Sequence, residues 1–265
     1  MQKNYEKKKK VNEDVIITKL YNGSVELKFN EKTHRYFIDG KPVKGVTSYT
    51  NIINKPALIY WAVNKCADYL IENIEDLANS NDEEYILSMI DDAKKKHTEF
   101  KTDAATTGKN VHKWCENYIK ASLKKELPEL PTDEQELNGV TAFLKWVSEY
   151  KVEFLSSERF VFSKKYNYCG IMDAEAIIDG KKCVVDFKTS KGVYNEMCYQ
   201  VSAYQSAVEE ETGEKYTGDR WIVQFGKDSG EFHAYSYKDQ DKDFKAFLAC
   251  MELVNRDKGL KIKIK

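Results

Sequence analysis

The chain has 265 residues, 42% of them apolar, which suffices for a real core and fits one large domain or two small ones. Lysine plus arginine (42) almost balance aspartate plus glutamate (43), so a formal charge of −1 marks no strongly basic or acidic class. The six cysteines (Cys66, Cys115, Cys169, Cys183, Cys198 and Cys250) form no CxxC pair, and no stretch approaches the roughly 20 apolar residues that span a bilayer; zinc knuckles, secreted disulfide frameworks and membrane spans are thereby disfavoured, and reduced thiols in a soluble, cytoplasmic protein are expected.

Taken in chain order, the lysine-rich start, with "YEKKKK" at residues 5–10, has no apolar h-region behind it. "HRYFIDGKPVKGV" then sets Asp39-Gly40 between two apolar stretches, a strong hairpin signal. From Thr47 the sequence turns helical, with Thr47 or Ser48 as caps and Pro56 dividing the region into two helices. Residues 72–92 carry only acids, whereas "KKKH" at 94–97 and "KGLKIKIK" at the end are basic; these runs read either as a basic track on part of the surface or as solvated helix faces and frayed termini. Helices are expected at about 103–124 and 133–151, ahead of and behind the Pro128 and Pro131 punctuation. Strands come next at about 158–164, 171–178 and 182–188, then a helix at 194–211, strands at 220–225 and 231–237, and a helix at 239–255. The expected organisation is a hairpin and helical elaboration over 1–102 leading into an α/β core over 103–265, together one compact domain.

Within that core, "GIMDAEAIIDGKKCVVDFKTS" at 170–190 places charges in two short strands. If Asp179-Gly180 is a two-residue turn, Ile178 opposes Lys181, and the same register puts Asp173 opposite Asp186. Directly opposed side chains on one face have Cβ atoms roughly 4.5–5.5 Å apart, where like charges destabilise a sheet. Alternation sends Ile171, Glu175, Ile177, Val184 and Lys188 to the carboxylate side, and Met172, Ala174, Ala176, Ile178, Cys183, Val185 and Phe187 to the other. A hard divalent cation such as Mg²⁺ would relieve the repulsion, and Lys188, on the same side, would orient a water and offset charge on a phosphate. Solvated charges on an exposed sheet face are the plain alternative.

These residues carry a family resemblance. G-x-x-D (Gly170, Asp173), strand-borne D-x-K-T (Asp186, Lys188, Thr189) and Q-x-x-x-Y on the next helix (Gln200, Tyr204) resemble the RecB-like branch of the PD-(D/E)XK nucleases, and the leader "HRYFIDGKPVKGVTSYTNIINKPALIYWA" is similar to that of its phage-type exonucleases. The resemblance implies a restriction-endonuclease-like fold: a mixed β-sheet core flanked by helices. It implies Asp173, Asp186 and the main-chain carbonyl of Phe187 as metal ligands, Lys188 as the catalytic lysine, and a ligand histidine from an upstream helix. "TGKNVHKWCENYI" offers His112, with Glu116 on the same helix face. Glu158 sits where the family often has a glutamate on its first core strand; it either approaches the metal or ends a strand. Gln200 would hold the lysine or the substrate strand, and Tyr204 belongs equally to the helix's apolar stripe of Met197, Val201 and Val208.

The resemblance thus leads to the expectation of a metal-dependent DNA exonuclease using Mg²⁺ or Mn²⁺, without an iron–sulfur cluster. It would act on single-stranded or free-ended DNA in phage or mobile-element recombination, repair or degradation, in a bacterial or phage-infected cell, with a recombination protein as an allowed partner. Tyr49, Tyr60, Trp61 and Trp114 are candidates for stacking on unpaired bases, or else for core packing. The alternatives are a structure-specific or restriction-type endonuclease and a non-catalytic nucleic-acid-binding protein on a nuclease scaffold.

Overall fold

A computed structural model describes residues 9–12, 14–122 and 127–260; Lys7 and Lys8 of the first basic run and Lys261, Lys263 and Lys265 of the last lie outside the described residues. Met1–Ile53 with Val111–Lys265 form one compact unit and Asn54–Asn110 a second, so the N-terminal strands lie in the unit that holds the core, and the later boundary falls at 110/111.

The first unit opens on an antiparallel meander, in sheet order β1 (Lys9–Asn12), β2 (Val15–Leu20), β3 (Val25–Asn30), β4 (Arg35–Ile38) and β5 (Lys41–Val43). The β4–β5 turn is as expected: Asp39 (φ 45°) and Gly40 (φ 78°) are both left-handed, the geometry that matches strand twist. β2 and β3 are not among the expected strands, although "YNGS" announces their turn, where Tyr21, Asn22 and Gly23 have φ of 52°, 56° and 89°. Leu27, Phe29 and Tyr36 of this sheet pack on Phe160, Phe162 and Cys169 of the second.

Helix α1 (Val46–Thr50) starts one residue before Thr47, so neither Thr47 nor Ser48 caps it; Gly45 does, without a side-chain bond. Tertiary structure overrides the local signal here. Gly45 bridges to Cys169, the Cys169 N–H donates to Lys44 O at 3.0 Å, and a Cβ on Gly45 would overlap the Tyr36 ring.

In the second unit Pro56 occupies the first turn of α2 (Pro56–Glu72), as expected of a proline that ends one helix and starts another. After α3 (Ile74–Asn79), α4 runs over Glu83–Ser122, beginning well before the expected position. Asp82 Oδ1 caps its start by accepting from Glu84 N and Tyr85 N. The lysines of "KKKH" are not a basic track: Lys94 pairs with Asp91 (2.9 Å), Lys95 with Asp92 (3.3 Å) and Lys96 with Glu99 (2.8 Å).

The first unit resumes with the end of α4 and with α5 (Glu134–Glu149), capped by Asp133, which accepts from Glu136 N at 3.0 Å. The second sheet has the order β10-β9-β8-β7-β6, from β6 (Glu153–Ser163), β7 (Tyr168–Ile178), β8 (Lys181–Lys188), β9 (Arg220–Phe225) and β10 (Phe232–Tyr237). Of the described strands only β8 and β9 pair in parallel, because α6 (Asn195–Thr212) carries the chain across between them. α7 (Gln240–Gly259) then packs on α6. One face of the sheet (Val161, Val184, Ile222) is covered by Val201, Tyr204 and Val208 of α6 and by Phe247 of α7. The other (Ala176, Val185, Phe187, Val223) is covered by Val111, Cys115 and Ile119 of α4 and by Phe143 and Trp146 of α5. The architecture is thus mixed α/β, with two five-stranded sheets and seven helices among the described residues. Among these residues no helix is long and apolar enough to cross a membrane, and all six cysteines are free thiols.

Gly170 is required by close packing rather than by backbone angle, since a Cβ there would run into the buried Tyr204 ring. Gly170→Ala is therefore expected to cost about 1–3 kcal/mol of stability, as overpacking does, read as a lower urea midpoint at unchanged slope.

Candidate active site

The site grows out of the β7–β8 hairpin. Asp179 (φ 51°) and Gly180 (φ 70°) make the expected tight turn, Ile178 opposes Lys181, and the register holds back to Ala174 opposite Val185. One step further Asp173 comes level with Asp186, but the ladder stops. Asp173 Oδ2 accepts from the Phe187 N–H at 2.7 Å, so a side chain takes a donor that the ladder would otherwise use. It is thus through its N–H that Phe187, the residue expected to offer a carbonyl ligand, engages the site.

The reason lies in a break of side-chain alternation shared by two strands whose mutual register runs on through it. Met172 and Glu175 are three apart in β7 yet both face α6: Met172 packs with Val184 and Val201, and Glu175 meets Tyr216 of the same layer. The expectation that Met172 points away from the carboxylates is therefore corrected. In β6, Ser156 and Arg159 are likewise three apart and both reach Glu175, at 2.6 and 2.8 Å. Between them Glu158 adopts a left-handed φ of 50°, level with Asp173 between the Ser157–Ala174 and Arg159–Met172 pairs. Such backbone costs about 1–3 kcal/mol in a residue with a side chain, and it persists only where its surroundings over-determine it. Here they do. Glu175 is only 1% exposed, accepts from Ser156, Arg159 and Tyr216, and also meets Lys182 Nζ at 3.2 Å; Arg159 in turn reaches Glu211 at 3.2 Å. No motif pointed to this clamp. Its sequence signal is a lone charge in the apolar run "AEAII".

Around the break the expected residues converge. Lys188 Nζ is in ion-pair contact with Asp186 Oδ2 and lies 3.5 Å from Gln200 Oε1. Gln200 Nε2 stands 3.5 Å from Asp186 Oδ1 and donates to Tyr204 OH at 2.7 Å. Gln200 thus spans the lysine and its carboxylate, and Tyr204 serves both core and site. His112 Nδ1 is 3.6 Å from Asp173 Oδ2, its ring edge-on to Phe187. Asp186 Oδ2 is buried against the Lys188 ammonium.

Burial governs the electrostatics. It pushes the Asp186 carboxyl up to about 6, with Lys188 pulling back and Asp173 adding to the rise. It raises Asp173 as well, against Lys188 and the Phe187 N–H. Burial also works to strip the Lys188 proton, but Asp186 and Asp173 outweigh it and hold the ammonium above its ordinary value. His112 is lowered to about 4, by burial first and Lys188 second, and is neutral at pH 7.

Some expected residues are not brought together. Glu116 is paired with Lys113 at 2.7 Å and with Lys120, not with the carboxylates. Glu158 lies level with Asp173, and its charge is felt at Tyr36. Tyr49 is core, edge-on to Phe247, and Trp114 donates to Glu129 O at 2.7 Å while stacking on Tyr118. Tyr60, in the second unit, is 73% exposed, and Trp61 beside it is half-buried. Among the described residues no three His, Cys, Asp or Glu side chains form a ready-made metal cluster; Lys188 balances the carboxylates instead.

Glu175→Gln leaves the Arg159 guanidinium without its main counter-charge in a buried layer, and is expected to cost about 3–5 kcal/mol. Chemical denaturation checks this, with Glu26→Gln on the exposed β3 surface as a near-neutral control.

No family model matches the chain, and no curated protein matches it. Among solved structures, one described as "Crystal structure of SSO0001" is similar at 16% identity over 55% of this chain and 74% of its own, with a TM-score of 0.26.

Proposed function

We propose that this chain is a metal-dependent deoxyribonuclease with a restriction-endonuclease-like core, hydrolysing phosphodiester bonds from a free DNA end. The observation that carries this reading is the meeting of Asp173, Asp186, Lys188 and Gln200 at one point of the β7–β8 hairpin, with His112 beside it. The donor set suits a hard divalent cation. Asp173, Asp186 and His112 would hold it: two carboxylates burdened by burial and a neutral imidazole. When bound, Mg²⁺ or Mn²⁺ supplies a nucleophile at neutral pH and neutralises phosphate charge.

The chain's own groups supply the rest. Lys188, kept charged by its carboxylates, aligns a water and faces the charge that builds on the phosphate oxygens. Gln200 restrains Lys188 and Asp186 together, and Tyr204 restrains Gln200, which limits the geometry the lysine samples. Asp186 is withdrawn from water, which strengthens its hold on Lys188, while Lys188 itself stays partly exposed. Free thiols suit a reducing cell interior, consistent with action in a bacterial or phage-infected cell.

End-labelled single- and double-stranded DNA, incubated with Mg²⁺, Mn²⁺ or chelator, tests the reading. Product is expected with either metal and none with chelator, and Lys188→Ala is expected to slow cleavage at least about a hundredfold. Undiminished cleavage by Lys188→Ala would assign the activity elsewhere. Closed-circular DNA should be spared; if it is cut, the enzyme is an endonuclease. Independently of turnover, millimolar Mn²⁺ should raise the melting temperature of the wild type and leave that of Asp173→Asn unmoved.

A further inference from the structure

We propose that Lys191 and Lys227, carried on two pinned loops at the carboxyl ends of the parallel β8–β9 pair, form a phosphate subsite for the nucleic-acid strand adjoining Lys188. This rests on the nuclease reading and deepens it by assigning residues that grip the substrate backbone.

In open sheets with parallel strands, ligands collect outside the carboxyl ends of those strands, and β8–β9 is the only parallel pair of strands among the described residues. Lys188 closes β8 opposite Gln224 of β9, so the loops after both strands leave from the level of the candidate active site. Lys191 lies three residues beyond Lys188, and Lys227 three beyond Gln224.

Both loops are held. Gln224 Nε2 donates to Ser190 O at 2.7 Å, tying the first loop to the end of β9, and Ser190 Oγ donates to Gly192 O at 2.8 Å. In the second loop Asn138 Nδ2 of α5 donates to Lys227 O at 2.9 Å, Gln135 Nε2 donates to Asp228 Oδ1 at 3.1 Å, and Gly230 N closes onto Gly226 O at 2.8 Å. A fixed loop loses little entropy on binding.

Charge points the same way. No carboxylate pairs with Lys191 among the described residues, while Lys227 is half-buried. Burial lowers Lys227 below its ordinary value, against the pull of Asp228, and the Lys191 charge adds to the lowering. Lysines carried on fixed loops at neighbouring strand ends suit phosphate oxygens spaced along a nucleic-acid strand.

Anisotropy of a fluorescein-labelled 20-nucleotide single strand and of the matching duplex, with Ca²⁺ replacing Mg²⁺, tests the subsite between 50 and 300 mM KCl. Lys191→Ala/Lys227→Ala should bind more weakly and lower the slope of log K against log[salt] by about 1.4–1.8, the loss of two phosphate contacts. Lys94→Ala/Lys95→Ala, which removes two lysines already paired with aspartates, should leave affinity and slope as in the wild type. If the wild type cleaves DNA and the Lys191/Lys227 variant keeps wild-type affinity and slope, the subsite is wrong and the nuclease reading stands. If the wild type neither cleaves nor binds DNA, both fall together.

Discussion

Two aspartates beside each other under an α-helix, Asp186 buried and Asp173 half-buried, set the terms for everything near them. Each charge withdrawn from water costs roughly several kcal/mol, and the second costs more for the presence of the first. Lys188 is what makes the arrangement tolerable: its ammonium lies against Asp186 and is itself kept charged by both carboxylates. The balance is incomplete, since two acids face one base and both acids remain raised in pKa. That shortfall of positive charge is the physical basis for expecting a cation there, and it holds without appeal to any motif.

The backbone around the pair is bent to suit it. A regular ladder would leave Asp173 committed to one face and the Phe187 N–H in the sheet. Instead β6 and β7 both break their alternation at Glu158 and Asp173 while staying in register, and the Asp173 carboxylate takes that N–H. A left-handed glutamate does not hold itself in place. Glu175, gripped by Ser156 on one side of the break and Arg159 on the other, fixes the two strands at the distance the distortion needs. Buried polar networks of this kind rarely add net stability, but they specify one geometry among several, and here that geometry determines where a candidate ligand points.

The range of each interaction decides whether the sequence discloses or hides it. Asp179-Gly180 fixes the hairpin register because a two-residue turn is a local matter, and the pairing as far as Ala174 is readable from it. The break is not readable: period-2 alternation assumes an unbroken strand, and it puts Met172 on the wrong face for that reason. Helix α1 starts at Val46 because Gly45 must lie against Tyr36 and bridge to Cys169, residues far off in sequence. The β2–β3 hairpin, by contrast, is legible in Asn22-Gly23 and in the alternation of "VELKFN", and only the stronger signal downstream obscures it. His112 and Glu116 share a helix face by spacing, yet only His112 reaches the carboxylates, because Lys113 and Lys120 take Glu116 for themselves.

The placement of the site also explains why it needs both kinds of strand pairing. An antiparallel hairpin brings two acids level across a short turn, with little loop entropy lost. It cannot provide a crevice, because its connection is too tight to leave one. A parallel pair requires a crossover, and the helix that makes it here, α6, lays Gln200 and Tyr204 over the hairpin's carboxylates. β8 belongs to both pairings, antiparallel to β7 and parallel to β9, and so it alone can carry Asp186 toward Asp173 and Lys188 toward the open end. Moving the aspartate and the lysine to any other strand of this sheet would separate the charge pair from the carboxyl ends of the parallel strands.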